Sequence, residues 1–116
     1  MSKVGLLKTA IENCSLERIE ELLNLIDYSP QKEKILIKPN LVTDTPAEKG
    51  VITHPKVVEA ICNYFIERGH SEIIIGEGSA FFYKPHHFEH LLKVSGYEDL
   101  QKKPEVTILN LEEKSV

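Results

Sequence analysis

Tryptophan is absent from the 116 residues, methionine occurs once and cysteine only twice. The two cysteines, Cys14 and Cys62, match no zinc or disulfide pattern, which excludes a stapled secreted scaffold and fits a reducing cytoplasm. No block of lysines or arginine-rich stripe occurs. Acidic and basic residues are interleaved to a net charge of −4, which argues against nucleic acid as the main partner. No apolar run approaches the length that spans a bilayer, and no apolar signal region follows Met1-Ser2-Lys3. The expectation is a soluble, cytoplasmic protein with neither membrane nor nucleic acid as partner.

What is present suits one globular domain covering residues 1–116, with 41% hydrophobic and 28% charged residues and no internal repeat or low-complexity segment. A chain of this size buries roughly two thirds of its unfolded surface, enough for a core without metal or disulfide support. "KVGLLK" (3–8) reads as a first strand, weakened by Gly5. "SLERIEELLNLI" (15–26) reads as a helix with Ser15 at its N-cap and Leu16, Ile19, Leu23 and Ile26 on one face. "KILIK" (34–38) and "EIIIG" (72–76) are short apolar runs of the kind covered on both faces of a parallel sheet.

Between them, "PKVVEAICNYFIERG" starts on a helix-opening Pro55 and stops at Gly69. Its apolar pairs Val57/Val58, Ile61/Cys62 and Phe65/Ile66 draw a broad stripe. A third helix runs around Phe88, Leu91 and Leu92, broken near Gly96, and "EVTILNL" (105–111) is a last strand. The order β-α-β-α-β-α-β predicts a three-layer α/β domain, with a mainly parallel sheet of about four strands and helices on both faces. A last strand followed only by "EEKSV" leaves an uncovered edge. That predicts a fragment of something longer, or a partner chain or second copy that completes the sheet.

In open α/β sheets, ligands gather beyond the carboxyl ends of the strands. Two connections leave that edge, and both exceed the usual two to six residues: about fifteen from Asn40 to His54 and about ten from Glu77 to His86. The first opens with Lys38-Pro39-Asn40. Pro39 has no N–H, so the ladder stops there and releases Asn40 toward the edge. Lys38 then offers a point charge, and Asn40 donors and an acceptor, to a polar or anionic ligand. The plain alternative is a charged strand end and a turn-forming asparagine. Thr53-His54-Pro55 closes the same connection. Either Thr53 or His54 caps the helix there, and a histidine so placed can also bind an anion, ligate a metal or carry a proton.

In the second connection, "GEGSAFFYKP" (76–85), Gly76 and Gly78 permit close backbone approach and Ser79 adds a hydroxyl. The third glycine of a dinucleotide fingerprint is missing, and Glu77 repels a bare phosphate, so a polar or metal-assisted site suits this loop better. Phe81-Phe82-Tyr83 reads as a lid, a subunit contact or packing beneath the loop. His86 and His90 stand one helical turn apart, a chelating spacing, but nothing else of a zinc motif accompanies them and no metal ligand set is assigned. Cys62 lies in the apolar stripe of its helix as a core residue, and Cys14 precedes a helix cap with no evident activating partner.

"ILIKPNLV" followed by "GVITHPKVVEAICNYFIERGHSEIIIGEGSA" resembles the N-terminal half of domain-of-unknown-function family 362, over roughly residues 4–111. The family-type positions by this resemblance are Lys38, Pro39, Asn40, Thr53, Pro55, Glu77, Gly78 and Ser79, and His54 is similar to what many members carry between that threonine and proline. The resemblance implies no agreed reaction or cofactor. Members often resemble iron–sulfur proteins with ferredoxin-like cysteine clusters. This chain departs from that pattern, because two isolated cysteines cannot hold a four-cysteine cluster. Members also usually continue well beyond this length, which implies that the chain is the N-terminal part of a longer domain.

Two functions follow as expectations. One is a small polar or anionic ligand bound, with or without a metal's help, by Lys38, Asn40, Thr53, His54, Glu77, Gly78 and Ser79. The other is a non-catalytic assembly or electron-transfer accessory module that works with iron–sulfur partners. Neither specifies an enzyme.

Overall fold

Three strands run the same way, side by side, in the order they occur along the chain: β1 (Lys34–Ile37), β2 (Glu72–Glu77) and β3 (Val106–Asn110). The computed structural model describes residues 2–28, 33–41, 46–77 and 87–111. In register, Ile35 stands opposite Ile73 and Ile73 opposite Val106, with Ile37, Ile75 and Ile108 forming the next row on the same face. The chain is therefore α/β with a three-stranded parallel sheet.

Three helices accompany it: α1 (Leu16–Leu25), α2 (Pro55–Glu67) and α3 (His87–Ser95), with short 3-10 turns at Ile11–Asn13, Ala47–Lys49 and Tyr97–Lys102. Ser15 precedes α1 as expected, but its hydroxyl makes no capping bond; its carbonyl accepts from the Arg18 and Ile19 N–H groups instead. In α2, Val58, Cys62 and Phe65 of the expected stripe are fully buried while Val57, Ile61 and Ile66 are half-buried. Ala60 and Tyr64 extend the buried surface sideways. There the Arg68 guanidinium lies 3.9 Å from the centre of the Tyr64 ring and donates to Glu20 of α1 at 3.2 Å, fastening α1 to α2. Gly69 ends α2 at φ +89°, and the break after α3 falls at Gly96, at φ +87°.

Three features differ from the sequence expectations. Residues 3–8 form no strand: Val4 and Leu6 are almost fully exposed, and Gly5 lies against Leu22 of α1 and Ile26 at its C-cap. A two-leucine, one-valine segment interrupted by glycine offers too little apolar surface to hold an edge. Among the described residues the sheet thus has three strands where about four were expected. Secondly, among the described residues only the central strand is buried on both faces. Ile73, Ile74 and Ile75 are all buried, whereas Leu36 on edge strand β1 is 50% exposed.

Thirdly, the described helices share one face. Ile19 of α1, Val58, Cys62 and Phe65 of α2, and Leu91 and Leu92 of α3 form one cluster with Ile73, Ile75 and Val106. Successive right-handed crossovers in the order β1-β2-β3 carry their helices to the same side. The described residues make two layers where three were expected. Leu36, Ile74 and Leu109 point away from the helical layer and stand outside that cluster. Among the described residues, no helix is long and apolar enough to cross a membrane.

Candidate functional site

Each strand of the sheet ends, at its carboxyl tip, on a polar residue. Lys38 follows the last apolar residue of β1, Glu77 closes β2 and Asn110 closes β3, with Glu77 and Asn110 directly in register. Because β1 and β2 are parallel neighbours, their tips emerge together, and the Lys38 Nζ donates to Glu77 Oε1 at 2.5 Å. The other carboxylate oxygen, Oε2, accepts the Leu41 N–H at 3.0 Å.

Glu77 is thereby a buried anion with a partner for each oxygen: an ammonium on one side and a main-chain amide on the other. This is the arrangement that makes burial of a carboxylate tolerable. Its main-chain carbonyl also accepts the Leu111 N–H at 3.0 Å, joining the tips of β2 and β3. Pro39 is buried and ends the β1 ladder, so the chain turns and delivers the Leu41 N–H to the carboxylate.

The long connection after β1 is pinched at its base. The Asn40 N–H donates to Thr53 Oγ1 at 3.0 Å and the Thr53 N–H donates back to the Asn40 carbonyl at 2.8 Å. The result is a loop with touching ends, packed from within by Leu41, Ala47 and Ile52, all buried. Tyr97, fully buried, donates its hydroxyl to the Thr53 carbonyl at 2.6 Å. Burial pushes the Tyr97 phenol well above its ordinary range, and the nearby Glu77 carboxylate pushes it the same way, so it remains a donor at any ordinary pH.

His54 is the cap of α2. Its Nδ1 accepts the Lys56 N–H at 3.1 Å, and its carbonyl accepts the Val57 N–H at 3.0 Å. A neutral ring that accepts at Nδ1 carries its proton on Nε2, which leaves one ring nitrogen for other use. With Pro55 contributing no N–H, these two bonds occupy the first donors of the helix, so its N-terminus is engaged by the chain itself.

Of the candidates from sequence, Lys38 and Glu77 are in direct contact, Asn40 and Thr53 are joined through the main chain and the Thr53 hydroxyl, and His54 follows as the cap. Gly78 and Ser79 lie outside the described residues, as do Phe81, Phe82, Tyr83 and His86. Among the described residues, no group of three or more histidine, cysteine, aspartate or glutamate side chains is placed to hold a metal ion. Cys62 is a core thiol whose pKa burial pushes up to about 11, against a lowering by Lys103. Burial also raises that of Cys14. Neither thiol is activated.

Three participants escaped the sequence reading: the Leu41 N–H, Tyr97 and Asn110. Asn110 had a signal, since "TILN" repeats the pattern of "ILIK" and "IIGE", an apolar strand closed by one polar residue. A separate groove of about 730 Å³ runs along α3, the 3-10 turn after it and β3. It is lined by Phe88, Leu92 and Ile108 with Glu89, Lys93 and Glu98 among its polar rim; none of Lys38, Asn40, Thr53, His54 or Glu77 lines it. The size of that groove does not make it the chemical centre, because the convergent charged and hydrogen-bonded groups stand at the sheet tips.

Fold and site together define an α/β protein with a parallel sheet and a polar carboxyl edge. Residues 35–116 match the family described as Domain of unknown function (DUF362), a span that contains every candidate site residue and all three strands but for Lys34, the first residue of β1. The chain belongs to that family. No curated protein and no solved structure matches it.

Proposed function

We propose that the carboxyl edge of the sheet binds a small polar or anionic ligand, using Lys38, Asn40, Thr53, His54 and Glu77, with Gly78 and Ser79 in the connection that follows. The observation that carries this reading is the Lys38–Glu77 contact, 2.5 Å across the tips of two parallel strands. Long charged side chains at strand ends are ordinarily solvated separately. Here a buried carboxylate holds an ammonium at the edge where α/β sheets receive ligands. The two-way Asn40–Thr53 bonding fixes the base of the adjoining loop, giving a rigid support from which side chains can be presented.

The test is a thermal-shift screen of phosphates, carboxylates and divalent cations on the folded chain and on Lys38→Ala. A ligand class that raises the melting temperature of the parent and not of the variant is the expected result. A parent that no class stabilises contradicts the reading.

A second reading, an assembly or accessory module acting beside iron–sulfur partners, draws support from β3, which is an edge strand with the groove of Phe88, Leu92 and Ile108 beside it. Light scattering across a concentration series tests it, and a strict monomer at high concentration counts against self-assembly. For either reading we place the protein in a reducing cytoplasm, on the support of two free cysteines.

A further inference from the structure

The two charges at the strand tips are not equally available. The Lys38 side chain is 57% exposed and the Glu77 side chain 7%. Both carboxylate oxygens are engaged, Oε1 by the ammonium and Oε2 by the Leu41 N–H. A solute approaching from water therefore meets the ammonium, with the carboxylate behind it. An ammonium has three donors, and the contact with Glu77 uses one of them.

The third tip adds no further negative charge. Asn110 stands in register beside Glu77 and is 8% exposed, so the described row across the edge reads lysine, glutamate, asparagine, with a single carboxylate. Calcium and magnesium are held by several hard oxygens, with carboxylates prominent among them. A divalent ion entering this edge would have to displace a bound ammonium to reach one carboxylate, against the repulsion of that same ammonium.

Resting on the binding reading above, we infer that the ligand of the carboxyl edge is a small oxyanion, a phosphate or carboxylate group recognised by the Lys38 ammonium, and not a divalent cation. Glu77 is then a positioning residue: it aims the lysine and never touches the ligand. Because an ammonium is a point charge without the fork of a guanidinium, the site reads charge and reach, and it accepts phosphate and carboxylate geometries alike.

The experiment is a titration of the isotope-labelled full chain with sodium phosphate, sodium acetate, magnesium chloride and calcium chloride, each against sodium chloride at equal ionic strength. The amides of Leu41 and Thr53 are followed by nuclear magnetic resonance. Phosphate, acetate or both should shift these amides, at least about tenfold more weakly when the ionic strength is raised from 0.01 to 1 M, as expected for a partly exposed charge contact. The divalent cations should leave them in place.

Lys38→Arg should keep the response. The paired variant K38M/E77Q, which removes both charges and leaves no lone buried carboxylate, should abolish it while the remaining amide spectrum stays native. Response to acetate alone or to phosphate alone also supports the inference and identifies the source of the anion. A shift with magnesium or calcium and none with either anion overturns it while leaving the binding reading intact. Silence with all four salts overturns both.

Discussion

Tyr97, from the 3-10 turn after α3, reaches the base of the loop after β1: its hydroxyl donates to the Thr53 carbonyl at 2.6 Å. Thr53 is in turn bonded both ways to Asn40, so a buried phenol distant in sequence holds the loop closed against the strand tip. Tyr97→Phe keeps the ring and deletes the donor, leaving that carbonyl without this partner. The expected loss is about 1–2 kcal/mol in urea unfolding, provided the transition is two-state. The loss should be accompanied by faster amide exchange at Thr53 and Asn40 than at Ile75. Equal protection at all three would show that the phenol does not secure the loop.

Glu77 gives a sharper prediction, because its two oxygens have different partners. Glu77→Gln retains one oxygen and replaces the other by an NH₂ group, which cannot accept. Whichever way the amide turns, either the Leu41 N–H or the Lys38 ammonium loses an acceptor. Leu41 is 1% exposed, so its N–H has little access to water as a substitute. The expected cost is on the order of 1–3 kcal/mol. Glu77→Ala removes both contacts and should cost more. A double-mutant cycle with Lys38→Met separates the two, since the part of the loss that persists in the Lys38→Met background belongs to the Leu41 amide.

The sequence exposes these two relationships to different degrees. Lys38 and Glu77 both stand at the end of short apolar runs, and alternation of strands with helices implies parallel neighbours, so their meeting at one edge is readable from pattern alone. The Leu41 N–H bond to Glu77 is not, because it depends on Pro39 turning the chain so that the Leu41 amide faces back. Tyr97 carries no signal at all: an aromatic after a glycine, about 44 residues from Thr53, becomes a loop anchor only through the packing of α3. The missing first strand has another cause. "KVGLLK" has the alternation of a strand, but local pattern does not tell whether a sheet edge is available to receive it, and the chain lies along α1 instead. His54 was readable as a cap from its place before Pro55, and the geometry explains why proline suits that position: the next donor, Lys56 N–H, is already taken by the ring.

Gly69 offers a test in which no contact is involved. At φ +89° it occupies the left-handed region at the end of α2, and a methyl group added there meets nothing within 4 Å. Gly69→Ala therefore measures conformational preference alone. The expected destabilisation is about 1 kcal/mol, the penalty for placing an L-residue in this region, with an unchanged denaturant slope. A neutral substitution would mean that α2 ends in another way in solution.

Cys62 makes the pH dependence predictable in sign. Burial raises its thiol from an ordinary 9.0 to about 11, so the folded chain holds this proton more tightly than the unfolded chain. Well below pH 9 both states are protonated and the thiol adds no pH dependence to stability. Between pH 9 and about 11 the unfolded state releases the proton first, so stability falls as pH rises and levels off once both states are ionised. Tyr97, raised by burial and by Glu77, adds a loss of the same sign beginning at higher pH. Unfolding followed from pH 8 to 11 should show this decline, and Cys62→Ala should remove its first part despite a lower starting stability from the cavity it leaves. At pH 8 the native thiol should react with iodoacetamide only as fast as the chain opens, with full reactivity in urea. Rapid labelling of Cys62 under native conditions would contradict both its burial and the predicted alkaline decline.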